Sequence, residues 1–252
     1  MIEGKVGCNM ATYSIRPIAL CGGLRDGSQY TYRMNYGTSC TQVYYAWYIE
    51  GSQPKILVDA GVKASTCMAW GMPKLYVPSV EEGLDKLRLK PDDIGIVIST
   101  HLHWDHIECG NLYRKAKFVV QKRELDYARN PHPIDAHSYD RSMFEGLDLE
   151  VIDGEKEIVP GISVFLTPGH TPGGQSVEID TTGGKAIITG FCCTLSGFGQ
   201  TEAMKRWGWE VAPPLLHHDV RDVYDSMIEI KHRADIIIAI HDPMFVQKEA
   251  IP

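Results

Sequence analysis

Apolar segments in both halves of the chain end near residues that bind metals well, and this limits the folds open to the chain. One segment leads directly into His101-Leu102-His103-Trp104-Asp105-His106, a second ends shortly before His170, and a third ends at His241. If these segments are buried strands, their polar ends can converge on one edge of a sheet. The whole chain must then fold around one site. We therefore predict a layered α/β protein with one domain over residues 1–252.

The cluster at 101–106 places three imidazoles and a carboxylate within six residues. Neutral imidazole nitrogens and carboxylate oxygens are the usual ligands of zinc, and catalytic zinc sites keep one position for water. The His-X-His spacing suits extended backbone, in which alternate side chains point the same way. The cluster thus predicts a metal site where a strand opens into a loop or helix, and metal-dependent hydrolysis is the first functional hypothesis.

Periodicity and turn residues give the predicted elements. The predicted strands cover 14–20, 42–50, 54–61, 94–100, 117–121, 162–167, 176–179, 185–189 and 235–240. The predicted helices cover 80–89, with Ser79 as N-cap, then 122–128 and 219–233.

The composition limits the classes of partner that we expect for this chain. Lys and Arg total 25 against 32 Asp and Glu, a formal charge of −7, which argues against nucleic acid or an anionic membrane and favours a small-molecule substrate. No apolar run of about 18 residues and no signal-peptide pattern is evident, so no membrane span is expected and a cytoplasmic location is predicted. The seven cysteines are odd in number and lack framework spacing, so most are expected to be reduced. A homodimer fits the general frequency of twofold oligomers.

At the level of motifs the chain resembles the metallo-β-lactamase superfamily. The resemblance rests on the 101–106 cluster, on Pro168-Gly169-His170-Thr171-Pro172-Gly173, and on His241 after an apolar strand. Within the superfamily these segments are most similar to the N-acyl-homoserine lactonase branch. The resemblance implies an αββα sandwich of two mixed sheets flanked by helices, with Asp59 supporting the site.

The resemblance also implies a ligand set and a reaction. His101, His103 and His170 would hold one metal, and Asp105, His106 and His241 a second. Two Zn²⁺ ions per chain are expected, with iron and manganese as alternatives. Such ions lower the pKa of a water and polarise a carbonyl, which suits opening of a lactone or a related cyclic ester or amide. Asp105 would be catalytic as well, taking and returning a proton.

One position departs from the family pattern. Phe191 stands where dinuclear members place a bridging aspartate, and its side chain cannot ligate. A thiolate can replace a carboxylate on zinc, and we favour Cys192 as a ligand. Strict strand alternation instead puts Cys193 on the face of Phe191, which leaves the register open. Thr194 occupies the place of a tyrosine that the lactonase branch has near the scissile carbonyl.

Other features leave alternatives open. His217 and His218 form a surface pair at a helix entry or supply an extra ligand, and Trp207 and Trp209 form a substrate lid or ordinary core. A thioesterase of the hydroxyacylglutathione hydrolase type is the second enzymatic hypothesis, and a β-lactamase is disfavoured because it would normally be exported. A non-hydrolytic mononuclear metal-binding protein and an iron oxidoreductase represent other classes.

Overall fold

A computed structural model describes residues 12–72 and 74–252, in which two mixed β-sheets pack face to face. The first sheet contains β1 (Ser14–Asp26), β2 (Ser39–Glu50), β3 (Ile56–Val58), β4 (Lys74–Leu75), β5 (Ile96–Ile98), β6 (Lys117–Gln121) and β7 (Leu149–Ile152), in the spatial order β4-β1-β2-β3-β5-β6-β7. The second contains β8 (Lys156–Val159), β9 (Ile162–Leu166), β10 (Gln175–Thr181), β11 (Gly184–Ile188) and β12 (Ile236–Ile238), in the order β12-β11-β10-β9-β8. Strands β3, β5, β6 and β7 run parallel, as do β11 and β12, whereas the other pairs are antiparallel.

Strand β2 shows how the sequence builds the layers. Val43, Tyr45 and Trp47 face the second sheet and join the apolar core between the sheets. Tyr44 and Tyr48, on the opposite face, join the core under the helices. Because side chains alternate along a strand, a strand that is apolar on both faces must be buried on both. β2 is therefore an inner strand of a sandwich.

Helices cover both outer faces. They are α1 (Ala64–Ala69), α2 (Val80–Lys86), α3 (Trp104–Ile107) and α4 (Lys122–Arg129) against the first sheet, and α6 (Val220–Arg233) against the second, with α5 (Glu202–Trp207) nearer the surface. In α6, Val223, Met227 and Ile230 recur at helical spacing and are fully buried. The result is the predicted αββα sandwich with two mixed sheets. Within the described ranges no helix is both long enough and apolar enough to cross a bilayer.

Most predicted elements are present, with changed ends. Strand β6 has the predicted bounds, β1 continues to Asp26, and β5 and β12 are shorter than predicted. Ser79 caps α2 as expected, since its hydroxyl accepts from the Glu82 N–H at 3.3 Å. Asp219, predicted as the first residue of the last helix, is instead the N-cap of α6. Strands β4, β7 and β8 were not predicted.

The cysteines divide into two groups. Cys21 in β1 and Cys67 in α1 form a disulfide, which the irregular spacing did not predict. Cys40, Cys109, Cys192 and Cys193 carry free thiols, and Cys8 lies outside the described residues.

Candidate metal centre

The candidate ligands lie at the ends of β5, β9 and β12. The loop after β5 carries His101 and His103, α3 carries Asp105 and His106, the turn after β9 carries His170, and His241 follows β12. Two groups have ligand atoms within 4.8 Å of one another, His101 with His103 and His170, and His101 with Asp105 and His106. His241 Nε2 lies 3.7 Å from Asp105 Oδ2. The fold thus brings the three separate motifs to one place.

Four of the histidines have Nδ1 engaged by a neighbouring group. The contacts are His101 to Thr100 Oγ1 at 3.1 Å, His106 to Asp59 Oδ2 at 2.7 Å, His170 to the Leu216 carbonyl at 2.7 Å and His241 to the Val43 carbonyl at 2.9 Å. Carbonyl and carboxylate oxygens only accept, so Nδ1 donates in the last three contacts. A neutral ring held in this way keeps the lone pair on Nε2, the arrangement that metal-binding histidines use.

Two buried nitrogens test whether a metal fits. The Nε2 atoms of His101 and His106 are buried and have no hydrogen-bond partner of regular geometry among the described residues, although Asp105 Oδ2 lies 3.2 Å from His106 Nε2. Such atoms are rare in folded proteins, because desolvation without a partner costs free energy. Both belong to the groups whose other donors are imidazole nitrogens and a carboxylate oxygen. The residues present therefore fit a divalent metal of the zinc type.

The charges of the cluster are consistent with this fit. Burial alone would lower the pKa of His106, but the carboxylates of Asp105 and Asp59 outweigh it and raise the pKa to about 10. Burial would likewise raise the pKa of Asp105, but His106, His241 and other rings hold it below its usual value. Burial lowers the pKa of both His170 and His241 to about 4, which keeps these rings neutral near pH 7. The cluster thus combines neutral rings at His170 and His241 with a protonated His106 and an ionised Asp105 carboxylate. A bound metal would displace the proton from His106, because both use the same nitrogen lone pair.

Asp59 connects two of the ligand-bearing segments. It is fully buried at the end of β3 with φ of 59°. Its Oδ1 accepts from the Thr100 N–H at 2.8 Å, and its Oδ2 accepts from the Thr100 hydroxyl at 3.0 Å as well as from His106 Nδ1. Asp59 therefore orients the His106 ring and fixes the start of the loop after β5.

The segment after β11 has no side chain at position 191 that could bind a metal. Phe191 is fully buried with Cys193 in the apolar cluster beneath α6, and Cys193 Sγ lies 3.1 Å from Thr189 Oγ1. Cys193 therefore shares the face of Phe191, as strict alternation indicated. Cys192 is not part of this apolar cluster. Burial is the main cause that raises the pKa of its thiol, and the charge of Asp105 is the next. Cys192 is not a member of either group of closely spaced ligand atoms in the described chain.

Glu124 is a site residue that sequence reasoning missed. Its carboxylate is 1% exposed, accepts from the Leu102 N–H at 2.9 Å and accepts from the Gly173 N–H at 3.3 Å. These bonds join the 101–106 loop to the turn that carries His170. A Cβ on Gly173 would lie 2.0 Å from the Glu124 nitrogen, so only glycine permits this approach. The Gly173-Gly174 pair was the available signal, but it does not identify its partner.

The remaining candidates are the His217-His218 pair and the tryptophans at 207 and 209. His217 and His218 precede α6, as the surface-pair interpretation predicted, and they line a cavity of about 230 Å³ together with His103 and His170. Trp207 is 50% exposed, which contradicts the core interpretation for this residue. The centroid of its ring lies 5.1 Å from the ring centroid of Trp209.

A cluster of imidazoles and carboxylate that could hold a metal, at one edge of an αββα sandwich, indicates the class of protein, and the comparison with known families agrees. The chain belongs to the metallo-β-lactamase superfamily, whose family model matches residues 42–231.

Two individual relatives show which members of the superfamily this chain is similar to. An N-acyl homoserine lactonase of a Bacillus species is 28% identical over 158 residues, which are 58% of this chain and 62% of that protein. A probable metallo-hydrolase of Methanocaldococcus jannaschii is 28% identical over 170 residues, covering 68% of this chain and 67% of the relative. The match thus spans less than two thirds of the length of the Bacillus lactonase.

A solved structure extends the likeness over most of the fold. The crystal structure of a quorum-quenching N-acyl homoserine lactone lactonase superposes with a TM-score of 0.75 at 25% identity, covering 93% of this chain and 94% of the other.

Proposed function

We propose that the protein is a metal-dependent hydrolase that opens a lactone, either N-acyl-homoserine-lactone-like or a related cyclic ester, with two zinc ions per chain. The carrying observation is the pair of buried Nε2 atoms on His101 and His106, which make no hydrogen bond of regular geometry among the described residues, within a cluster of imidazoles and one carboxylate. The similarity to N-acyl homoserine lactonases supports the ester-bond chemistry.

The proposed ligands follow from the grouping. His101, His103 and His170 hold one metal, and Asp105, His106 and His241 hold the other, with Cys192 as a further ligand in place of the absent carboxylate at 191. When bound, zinc supplies Lewis acidity and lowers the pKa of a water to about 7.

Asp105 carries the proton. Its Oδ2 lies 3.2 Å from His106 Nε2 and 3.7 Å from His241 Nε2, and neighbouring histidines hold its pKa low. An ionised carboxylate there accepts a proton from the attacking water and returns it to the leaving alkoxide, so that a hydroxy acid forms from lactone and water.

The test is a hydrolysis screen with zinc-loaded protein on acyl-homoserine lactones of several chain lengths, aromatic lactones, a thioester and an amide. We expect lactone opening, two equivalents of zinc, and a fall in kcat of at least about 100-fold in Asp105→Asn. Glu202→Asn, at an exposed carboxylate of α5, serves as the control and should retain activity. Metal-loaded protein that is inert on all four substrate classes would rule the proposal out.

A further inference from the structure

A small cavity adjoins the proposed metal ligands. It has a volume of about 230 Å³, and His103 and His170 form part of its wall. A larger, mostly apolar cavity of about 520 Å³, lined by Tyr32 and Trp209, shares no lining residue with it. A group held in the small cavity is therefore in contact with the ligand side chains, so the chemistry of its wall bears on the choice of substrate.

Two histidines in this wall present acceptors. Nδ1 of His137 lies 3.0 Å from the Ile134 carbonyl, and Nδ1 of His217 lies 2.7 Å from the Pro214 carbonyl. A carbonyl oxygen only accepts, so each ring donates its Nδ1–H there. In the neutral ring, Nε2 is then left as a hydrogen-bond acceptor.

Asp135 adds a charged acceptor to the same wall. Its Oδ2 accepts from the Tyr127 hydroxyl at 2.5 Å and lies 3.6 Å from His218 Nδ1. The side chain is 33% exposed, and these contacts leave Oδ1 available. None of the described residues that line the cavity is a lysine or an arginine. Ile134, Leu215 and Leu216 add exposed apolar surface to the wall. Its polar side chains nevertheless provide acceptors for a donor group, and lysine and arginine, the side chains that usually bind carboxylates or phosphates, are absent from the described lining.

We infer that this cavity selects lactones that carry hydroxyl or N–H donors and no negative charge. The inference rests on the proposed function and specifies its substrate class. A donor group satisfies Asp135, His137 or His217, whereas an alkyl group would desolvate these acceptors without replacing their hydrogen bonds. A carboxylate on the substrate would meet the charge of Asp135, and the described wall has no lysine or arginine side chain to compensate it.

The experiment compares three matched substrates on zinc-loaded protein: γ-butyrolactone, its α-hydroxy derivative and a carboxylated γ-butyrolactone. We expect kcat/KM for the hydroxylated lactone to exceed that of the other two by about tenfold, mainly through KM. Equal values within twofold, or a preference for the plain or the carboxylated lactone, would overturn the inference and leave the hydrolase proposal standing.

Variants locate the selectivity. Asp135→Asn and His217→Phe should each lower the ratio of hydroxylated to plain kcat/KM by several-fold, because each removes an acceptor. Asp126→Asn and His232→Phe alter the same residue types outside the cavity and should keep the wild-type ratio. A ratio that both cavity variants leave unchanged contradicts the assignment.

Binding provides a second readout. If no lactone is hydrolysed, the proposed function fails, and titration of the same three lactones by intrinsic tryptophan fluorescence still tests the cavity. Tighter binding of the hydroxylated lactone, lost in Asp135→Asn, supports the selectivity, whereas equal binding of all three refutes it.

Discussion

Cys192, proposed as a ligand in place of a carboxylate at 191, is the residue at which the proposed site differs most in chemistry from a carboxylate-bridged centre. Its thiol is buried, and the Tyr30 hydroxyl beside it is buried and has no hydrogen-bond partner of regular geometry among the described residues. Burial raises the pKa of the thiol, so the free protein keeps it protonated, and only a bound metal makes the thiolate favourable. The Tyr30 hydroxyl can then donate to the thiolate.

Cobalt(II) reports directly on a thiolate ligand. In cobalt-loaded wild-type protein we expect a sulfur-to-cobalt charge-transfer band in the near ultraviolet, and Cys192→Ser should remove it and weaken metal binding. Cys193→Ala is the matched control, because that thiol belongs to the apolar cluster beneath α6. A band that is absent from wild-type protein, or that persists in Cys192→Ser, would exclude Cys192 as a ligand.

Glu124 should control metal affinity without touching the metal. Replacement by Gln changes one acceptor oxygen into a donor, so either the Leu102 or the Gly173 N–H loses its partner and the two ligand-bearing loops shift. We expect zinc affinity, measured by competition with a chromophoric chelator, to fall by about 10- to 100-fold in Glu124→Gln. Glu145→Gln, at an exposed carboxylate, should leave it unchanged. Wild-type affinity in Glu124→Gln would show that the bonds to the two loops do not position the ligands.

The contrast between these residues shows what the sequence reveals about a site. The 101–106 cluster was recognisable because its candidate ligands are adjacent in the chain and chemically unusual together. Glu124 was not, because its partners lie 22 and 49 positions away and a glutamate early in a helix is ordinary. Supporting residues become visible only when the fold brings distant backbone groups to them.

Among the elements, the inner strands were predictable, whereas of the edge strands only β12, which is wholly apolar, was predicted. Strand β6 is apolar over most of its length and has neighbours on both sides, so pattern and burial agree. Strands β7 and β8 are the last strands of their sheets and mix exposed with partly buried residues. Strand β4 has only two residues. An edge strand has one partner and few buried positions, so its sequence carries a weak pattern.

Glu178 joins two strands of the second sheet and helix α6 through charged hydrogen bonds. Its carboxylate in β10 accepts from Lys185 in β11 and from Arg233 Nε at the end of α6, the latter at 3.0 Å. Burial would raise the pKa of Glu178, but the bonds from Lys185 and Arg233 outweigh it and lower the pKa. A carboxyl with a lower pKa in the folded state stabilises the fold above its unfolded pKa of about 4.3, and this contribution is lost as the pH falls further.

We therefore expect Glu178→Gln to lower the free energy of unfolding by about 1 kcal/mol at pH 7, measured by urea denaturation. The difference from wild-type protein should shrink as the pH is lowered below about 4. Glu202→Gln, whose side chain is 89% exposed, is the control and should change stability little at either pH. A deficit in Glu178→Gln that is the same at both pH values would mean that packing, and not charge, causes it.

At the scale of the whole molecule, the proposed ligands tie the two sheets together. His101 follows β5 of the first sheet, whereas His170 and His241 follow β9 and β12 of the second. A metal bound by all three segments resists their separation, and binding to the folded state alone adds RT ln(1 + [L]/Kd), about 4 kcal/mol when free zinc is 1,000 times Kd. For a chain of this size the gain corresponds to a rise in Tm on the order of 10 °C.

Calorimetry of chelator-treated and zinc-restored protein measures this directly. We expect the metal-free protein to melt at the lower temperature, and the shift on restoring zinc to shrink in His241→Ala, because that variant frees the segment after β12. His232→Ala alters an exposed histidine near the end of α6 and should preserve the full shift. An equal Tm with and without excess zinc would mean that zinc does not bind the folded protein in preference to the unfolded chain. A full shift in His241→Ala would instead mean that the metal is held by the segments that carry His101 and His170, and not by the segment after β12.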